Sequence, residues 1–357
     1  MRYLLLSAAL LCPGALAAQA VHGRLFAADS TPVSGAIVML VDSAGATSAR
    51  TLSSASGAYV VRAAHPGSYA LRVLRIGFPS FTSDPLLLGA GVSRERSLTL
   101  PEIPVVLNDI DVSGGNVCDA GAAEGSATAT LLGEVQKAFG SVELALADRT
   151  LRFEVERFLR RTDKNSVLTA QDSARATMTS WPVHSLPAEE LRDRGFMMAW
   201  DSVDTAFLPD GIESGKVWFG PDPTTLFAPP FLETHCYHVE RDHHDTTRVG
   251  LAFVPAKGRH LPDIRGTLWI DRRTFALHEL TYEYVNLPRQ FREARNGATG
   301  GTMEFLRLPV GLWIVSDWDL RAPIEEVYNN APIGIAGYLE EGGRIVHLRT
   351  TRGDTIY

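Results

Sequence analysis

The chain has 357 residues, of which 45% are hydrophobic and 21% charged, and its formal net charge is −7. These proportions are typical of globular proteins, and the length allows two domains, each with its own core. The negative balance provides no basic surface for nucleic acid, so no nucleic-acid partner is expected.

The N-terminus has the pattern of a cleavable export signal. Arg2 precedes an apolar run over residues 3–11, and small residues around Ala15 and Ala17 provide a cleavage site. We predict a signal peptide over residues 1–17, with cleavage possible up to residue 20. A buried N-terminal helix is the alternative, and it is disfavoured because a proline and a glycine interrupt the run.

This apolar run is shorter than a membrane span, and no later stretch approaches about eighteen consecutive apolar residues. We therefore expect no transmembrane segment after signal removal. The mature protein is expected to be exported, and to lie in the periplasm, at the outer membrane or outside the cell.

Removal of the signal leaves two cysteines, Cys118 and Cys236. An oxidising compartment favours one disulfide between them. Closing a loop of that length would stabilise the fold by about 4 to 5 kcal/mol on the chain-entropy model. Two separate buried thiols are the alternative.

Short strand signals, separated by turn residues, fill residues 21–113. The turns contain Gly57, Pro66 with Gly67, and Gly77. This spacing predicts a small β-sandwich. The predicted strands cover residues 21–26, 36–41, 59–63, 69–75, 96–100 and 105–112.

Five sequence segments of this region, VHGRLF, TPVSGAIVML, SSASGAYVVRAAHPGSYALRVLRIGF, LTL and VVLNDIDVSG, together resemble the carboxypeptidase regulatory-like domain. The resemblance implies a transthyretin-like sandwich of the carbohydrate-binding-like kind, serving as a folding or docking accessory. Ser53 or Ser54 stands where the family usually has an acidic residue before the turn glycine, so no calcium or ligand site is inferred there. No His-x-x-Glu pair is present, so no carboxypeptidase activity is inferred.

Residues 114–128 are rich in glycine and alanine and are predicted to be a linker. Residues 129–357 are predicted to form a β-rich α+β domain, an antiparallel meander or half-barrel with a few short helices. Helical spacing predicts the first helix from Leu131, Leu132, Val135, Ala138 and Phe139.

Further along, Leu151, Phe153 and Val155 alternate with charged residues and predict a strand with one solvated face. Short helices are predicted near residues 187–194 and from Asp222 with Pro223 onward. Residues 271–274 form a polar hairpin turn. The other predicted strands cover residues 249–254, 266–270, 276–284, 301–306 and 312–320.

The segments RGTLWIDRRTFALHELTYEY and GGTMEFLRLPVGLWIVSDWDL resemble the C-terminal part of exported bacterial proteins in which a regulatory-like module is fused to a β-rich domain. That part resembles in turn the half-barrel of lipoprotein carriers. The resemblance implies a disulfide and an envelope location, and it lends no activity.

Four histidines are the candidate metal ligands: His235, His238, His243 and His244. On an extended strand the first two would point to opposite faces. The last two are flanked by acidic residues, which favours a solvated turn. Strand and turn roles are therefore preferred, and no metal ligand is assigned.

No nucleophile elbow, Ser-x-x-Lys pair or phosphate loop is found in the sequence. We therefore expect an exported, non-enzymatic envelope protein without a cofactor, which binds or docks to an envelope protein, a glycan or an apolar ligand. The alternatives are a metal-dependent hydrolase using residues 235–244, and a purely structural accessory of a receptor or export complex. Six tryptophans could line a binding groove, although core positions are commoner: Trp181, Trp200, Trp218, Trp269, Trp313 and Trp318.

Overall fold

The computed structural model describes residues 19–101, 127–147, 151–181, 183, 185–202, 215–294, 299–329, 331–351 and 355–357. The predicted signal peptide, the predicted strand over residues 105–112 and Cys118 lie outside these ranges. No helix among the described residues is long and apolar enough to cross a bilayer.

Residues 19–101 form a β-sandwich, which confirms the fold predicted for this module. One sheet has the order β4-β1-β8, with β9 also pairing β1, and the other has the order β3-β2-β5-β6, with β7 also pairing β5. Their facing side chains make a core of Val21, Leu25, Val38, Leu40 and Leu71. The strands are β1 (Gln19–Phe26), β2 (Ile37–Asp42), β3 (Thr47–Leu52), β4 (Ala58–Ala63), β5 (Gly67–Leu74), β6 (Phe81–Thr82), β7 (Leu86–Leu88), β8 (Ser93–Glu95) and β9 (Leu98–Thr99).

In the described part of the second module, four α-helices accompany one nine-stranded antiparallel sheet. Its strand order is β11-β10-β20-β19-β18-β17-β16-β15-β14, so the five predicted strands correspond to β15–β19 and form the predicted meander. β14 continues the meander at one side, and β20, β10 and β11 continue the sheet at the other. The strands are β10 (Leu151–Asp163), β11 (Leu168–Met178), β14 (His235–Arg241), β15 (Arg248–Pro255), β16 (Asp263–Asp271), β17 (Leu277–Val285), β18 (Gly300–Arg307), β19 (Trp313–Tyr328) and β20 (Ala331–Thr350), with β12 (Met197–Ala199) and β13 (Lys216–Trp218) forming a separate pair.

The helices cover one face of this sheet. They are α1 (Ala127–Ala147), α2 (Ala188–Arg194), α3 (Pro223–Leu226) and α4 (Pro229–Leu232). The end of α2 and the start of α3 follow the predicted signals, because Gly195 ends α2 and the Asp222 side chain accepts a hydrogen bond from the Thr224 N–H at the start of α3. The last two residues of the predicted linker belong to α1, so the linker is shorter at this end than the composition indicates.

The long helix α1 lies between the two modules. It contacts β2 and β3 of the sandwich, and β14, β15 and β19 of the large sheet. Leu131, Val135 and Phe139 on its apolar stripe are buried, as predicted. Both modules therefore pack against the same helix.

A second contact joins the modules directly at two glycines. Gly35 has φ +66°, and a Cβ there would lie 2.8 Å from the Gly311 carbonyl oxygen. A Cβ on Gly311 would in turn lie 2.5 Å from the Ser34 oxygen. Side chains at these positions would push the loop before β2 away from the β18–β19 turn.

Candidate functional site

The four histidines do not converge. His235 is on the covered face of β14, where its Nε2 lies 3.1 Å from Asp263 Oδ1 and its ring stacks on Phe231 at 3.6 Å. The other Asp263 oxygen accepts a hydrogen bond from Arg259, whose Nη1 and Nη2 donate to the carbonyls of Arg192 (2.7 Å) and Leu191 (2.9 Å). His235 is thus part of a buried network that ties α2 and α4 to the sheet.

His238 lies on the opposite face of β14, as predicted, with its Nε2 3.2 Å from Glu240 Oε1. His243 and His244 lie in the exposed turn before β15, where Asp242 accepts a hydrogen bond from the His244 N–H. Within the described ranges, no three His, Cys, Asp or Glu side chains are grouped as ligands of a metal ion. The hydrolase alternative therefore has no assembled centre in this part of the chain.

Cys236 is 3% exposed and is disulfide-bonded. Its predicted partner, Cys118, falls outside the described residues, so the pairing stays a prediction.

Aromatic side chains fill most of the space between the large sheet and its helices. Phe139 of α1 stacks on Phe227 at 5.3 Å, and the Tyr284 hydroxyl donates to the Phe219 carbonyl at 2.8 Å. Burial raises the pKa of the Tyr237 and Tyr284 hydroxyls well above their ordinary value. Open space on this face of the sheet therefore lies at the margin of the aromatic packing.

Such a space lies at one margin, a groove of about 810 Å³ between the C-terminal end of α1, the end of β11 and the starts of α2 and α3. We call it the α1–β11 groove. Its apolar lining includes Leu146, Met178, Trp181, Val183 and Leu186. Met178 and Leu146 are partly exposed, and Trp181 is 7% exposed, so the floor is apolar and reachable.

Carboxylates predominate among the charged groups that line the groove. The described lining includes three carboxylates, those of Glu143, Glu189 and Asp222, and one guanidinium, that of Arg157. Burial raises the pKa of the Asp222 carboxyl and the Glu143 charge raises it further, while hydrogen bonds from Thr224 act in the opposite direction. The described lining of the groove therefore carries more negative than positive charge.

Trp181 adds an unused hydrogen-bond donor. Its Nε1 is buried and has no hydrogen-bond partner among the described residues. A buried donor without a partner loses the hydrogen bond it would make in water, which costs about 1 to 3 kcal/mol. An acceptor on a bound molecule would remove that cost.

The sequence indicated some residues of this groove, but it did not show that they lie in one site. Trp181 was one of six candidate tryptophans, and Asp222 was recognised as a helix start. Met178 and Glu143 gave no signal, because a partly exposed methionine at a strand end and an exposed glutamate on a helix are common surface features. The groove arises from the way α1 and α3 meet the strand ends.

Two other depressions lie on the opposite, solvated face of the sheet. The first, about 580 Å³, is crossed by ion pairs, since Glu156 accepts from both Arg175 and Arg344. Hydrogen bonds from Arg344 and then Arg175 lower the pKa of Glu156. The second, about 480 Å³, lies beside His238 and Glu240. In the first, the Arg175 and Arg344 guanidinium groups are already paired with Glu156.

The chain is similar to several solved structures, three of which follow. A LolA superfamily protein from Nitrosomonas europaea is 10% identical with a TM-score of 0.26, covering 56% of this chain and 85% of that one. A DUF1329 family protein from Desulfovibrio piger is 11% identical with a TM-score of 0.29, covering 64% and 92%. The TIE protein of Bacillus anthracis is 8% identical with a TM-score of 0.20, covering 74% and 45%.

No curated protein sequence matches the chain. The family model of the carboxypeptidase regulatory-like domain matches residues 20–101. This range coincides with the described β-sandwich and confirms the resemblance stated from the sequence, although the matched range ends before the predicted boundary at residue 113. The N-terminal module is therefore a carboxypeptidase regulatory-like domain, which is joined to a separate β-rich domain.

Proposed function

We propose that this chain is an exported binding protein whose β-rich domain holds, in the α1–β11 groove, an amphipathic molecule with an apolar body and a cationic group. The observation that carries the proposal is the combination, in one groove, of an apolar floor and an excess of carboxylates. The volume of about 810 Å³ lies within the range of small-molecule sites.

The apolar floor accounts for the body of the ligand. Met178, Trp181 and Leu186 would remove an alkyl chain from water, which contributes roughly 0.8 kcal/mol for each buried methylene. Methionine adapts its shape to different chains because its side chain has three rotatable bonds. This part of the site would select for apolar character more than for one structure.

The carboxylates account for the cationic group. An ammonium between Glu143 and Asp222 would offset their mutual repulsion and the desolvation of Asp222. Charge-assisted hydrogen bonds of this kind are stronger than neutral ones.

Export and docking complete the proposal. The N-terminal signal pattern supports export, and the regulatory-like domain is of a type common in exported bacterial proteins. Because this domain shares α1 with the β-rich domain, it would hold the groove in a fixed orientation relative to any envelope protein or glycan that it contacts. We assign it that docking role.

The proposal is tested with n-dodecylamine, which carries both features of the proposed ligand. Met178→Lys places a cation on the groove wall, whereas Thr177→Lys places the same charge on the exposed, opposite face of β11. Equilibrium dialysis should show binding by the wild type and by Thr177→Lys, and at least a tenfold loss, about 1.4 kcal/mol, for Met178→Lys.

Circular dichroism and thermal unfolding would show that both variants fold. Absence of wild-type binding, or equal binding by both lysine variants, would reject the groove as the site. The first of these results would favour a purely structural accessory, since a scaffold retains no ligand.

A further inference from the structure

Several exposed large apolar side chains gather at one end of the nine-stranded sheet. Five of the nine such residues among the described positions lie on two neighbouring hairpins, with exposed fractions between 53 and 66%. They are Val167, Leu168, Val327, Tyr328 and Ile333. We call residues 165–168, 327–329 and 331–333 the hairpin tips.

The larger tip projects beyond the rest of the sheet. Pairing of β19 with β18 ends at Arg321, and pairing of β20 with β10 ends at Gly337. From Glu325 to Ile335 the two strands are paired with each other alone among the described strands. Two-stranded ribbons are marginally stable in water, so an environment that covers this one would stabilise it.

The smaller tip lies beside the base of the larger one. Asp163 at the end of β10 pairs with Gly337, and Arg321 Nη2 donates to Ser166 Oγ at 2.7 Å. Asp163 turns its carboxylate inward to accept the N–H groups of Asn165 and Val167. Both tips therefore face the same direction, and the smaller is held by hydrogen bonds.

We propose that the hairpin tips insert into the interfacial layer of a lipid bilayer with zwitterionic headgroups. Residues 165–171 and 327–336 contain no charged residue. The described backbone of the larger tip is paired within the hairpin, so entry into an apolar layer leaves few polar groups without partners. Tyrosine is favoured at membrane interfaces because its ring is apolar and its hydroxyl is polar.

Charges next to the tips select the headgroup. Lys164 lies beside the smaller tip, and Glu325 and Glu326 lie at the base of the larger one. A surface that carries both phosphate and ammonium groups complements this mixture. A purely anionic surface would be repelled by the net charge of −7.

This inference is independent of the α1–β11 groove. Met178 of the groove lies on β11 opposite Phe153 of β10, and Asp163 lies at the other end of β10, next to the hairpin tips. Asp163 is ten positions from Phe153, which is about 33 Å along an extended strand. Membrane attachment and ligand binding can therefore be removed separately.

Flotation with phosphatidylcholine vesicles tests the inference. The triple variant Val327→Ser, Tyr328→Ser, Ile333→Ser removes three apolar side chains from the larger tip. Leu87→Ser is the matched control, because Leu87 is 71% exposed on the other module. The wild type and the control should float, and the triple variant should lose at least about tenfold in vesicle partitioning, equivalent to 1.4 kcal/mol.

Dodecylamine binding of the triple variant should remain, which separates this test from that of the groove. Equal flotation of the triple variant and the wild type would overturn the inference, as would absence of wild-type flotation. Wild-type dimers in analytical ultracentrifugation that the triple variant lacks would assign the tips to a contact between copies of the chain and would also overturn it.

Discussion

The Glu134 carboxylate of α1 accepts a hydrogen bond of 2.7 Å from the backbone N–H of Gly77 in the regulatory-like domain. Glu134 also forms an ion pair with Lys137, whose Nζ donates to the Phe78 carbonyl at 2.8 Å. Gly77 has φ +80°, a conformation that favours glycine. One buried acid therefore connects the helix to the turn of the other module.

Glu134→Ala should lower the free energy of unfolding by about 1 to 3 kcal/mol, because the Gly77 N–H and the Lys137 ammonium lose their acceptor. Urea unfolding of purified protein measures this loss. Gln136→Ala on the exposed face of α1 is the control and should change stability by less than about 0.5 kcal/mol. Equal losses for the two variants would show that the helix-to-turn contact contributes little.

Asp263→Asn should be among the most destabilising single changes in the β-rich domain. Asp263 and His235 are fully buried, and removal of the charge leaves Arg259 without its carboxylate partner. Breaking a buried pair in this way costs about 3 to 5 kcal/mol. Glu240→Gln, next to the partly exposed His238, should cost less than about 1 kcal/mol in the same urea titration. A small effect of Asp263→Asn would show that the network is dispensable.

Asp222→Asn should give a stability difference that depends on pH. Burial, aided by the Glu143 charge, raises the pKa of the Asp222 carboxyl above 3.8. The contribution of this group to the free energy of unfolding is therefore fully present below pH 3.8, and it is lost as the pH rises through the pKa of the folded state. The asparagine variant should therefore gain stability relative to the wild type between pH 3.8 and neutrality.

Asp242→Asn is the control of opposite sign for this titration. Hydrogen bonds from the N–H groups of His244 and Asp245 lower the pKa of Asp242, so its stabilisation is present above 3.8 and lost as the pH falls. That variant should lose stability relative to the wild type as the pH rises. Urea unfolding measures the stability of each variant relative to the wild type at each pH. If this difference changed with pH in the same direction for both variants, the opposite pKa shifts given for Asp222 and Asp242 would be contradicted.

Peptide mapping of non-reduced protein should recover Cys118 linked to Cys236. Cys236 is already buried and disulfide-bonded, and Cys118 is the other cysteine that remains after removal of residues 1–17. Reduction should destabilise the protein by up to about 4 to 5 kcal/mol. Recovery of Cys118 as a free thiol in the mature protein would disprove the pairing.

Strands with apolar alternation were predictable from the sequence, and strands without it were not. β11 has the sequence LTAQDSARATM and is exposed along most of its length, so it has no buried face to mark it. β20 carries glycines where neighbours approach closely: a Cβ on Gly343 would lie 2.7 Å from the Trp318 ring. Sequence rules treat such glycines as breaks, although here they make room for a core tryptophan.

The histidine geometry followed from strand periodicity, since His235 and His238 do lie on opposite faces of β14. The α1–β11 groove could not be predicted in this way, because α1, the end of β11 and the start of α3 are distant in the chain and meet through tertiary packing. Glu143 and Asp222 are 79 positions apart in the chain, and folding brings them close enough for the charge of Glu143 to raise the pKa of Asp222.

The most direct test of the proposed function is a calorimetric comparison of n-dodecylammonium with n-dodecanoate, two ligands with the same chain length and opposite charge. The carboxylate-rich lining predicts that the wild type binds the cation at least tenfold more tightly, a difference of about 1.4 kcal/mol. Glu143→Gln with Glu189→Gln should reduce that preference. Equal affinity for the two ligands, or tighter binding of dodecanoate, would contradict the account.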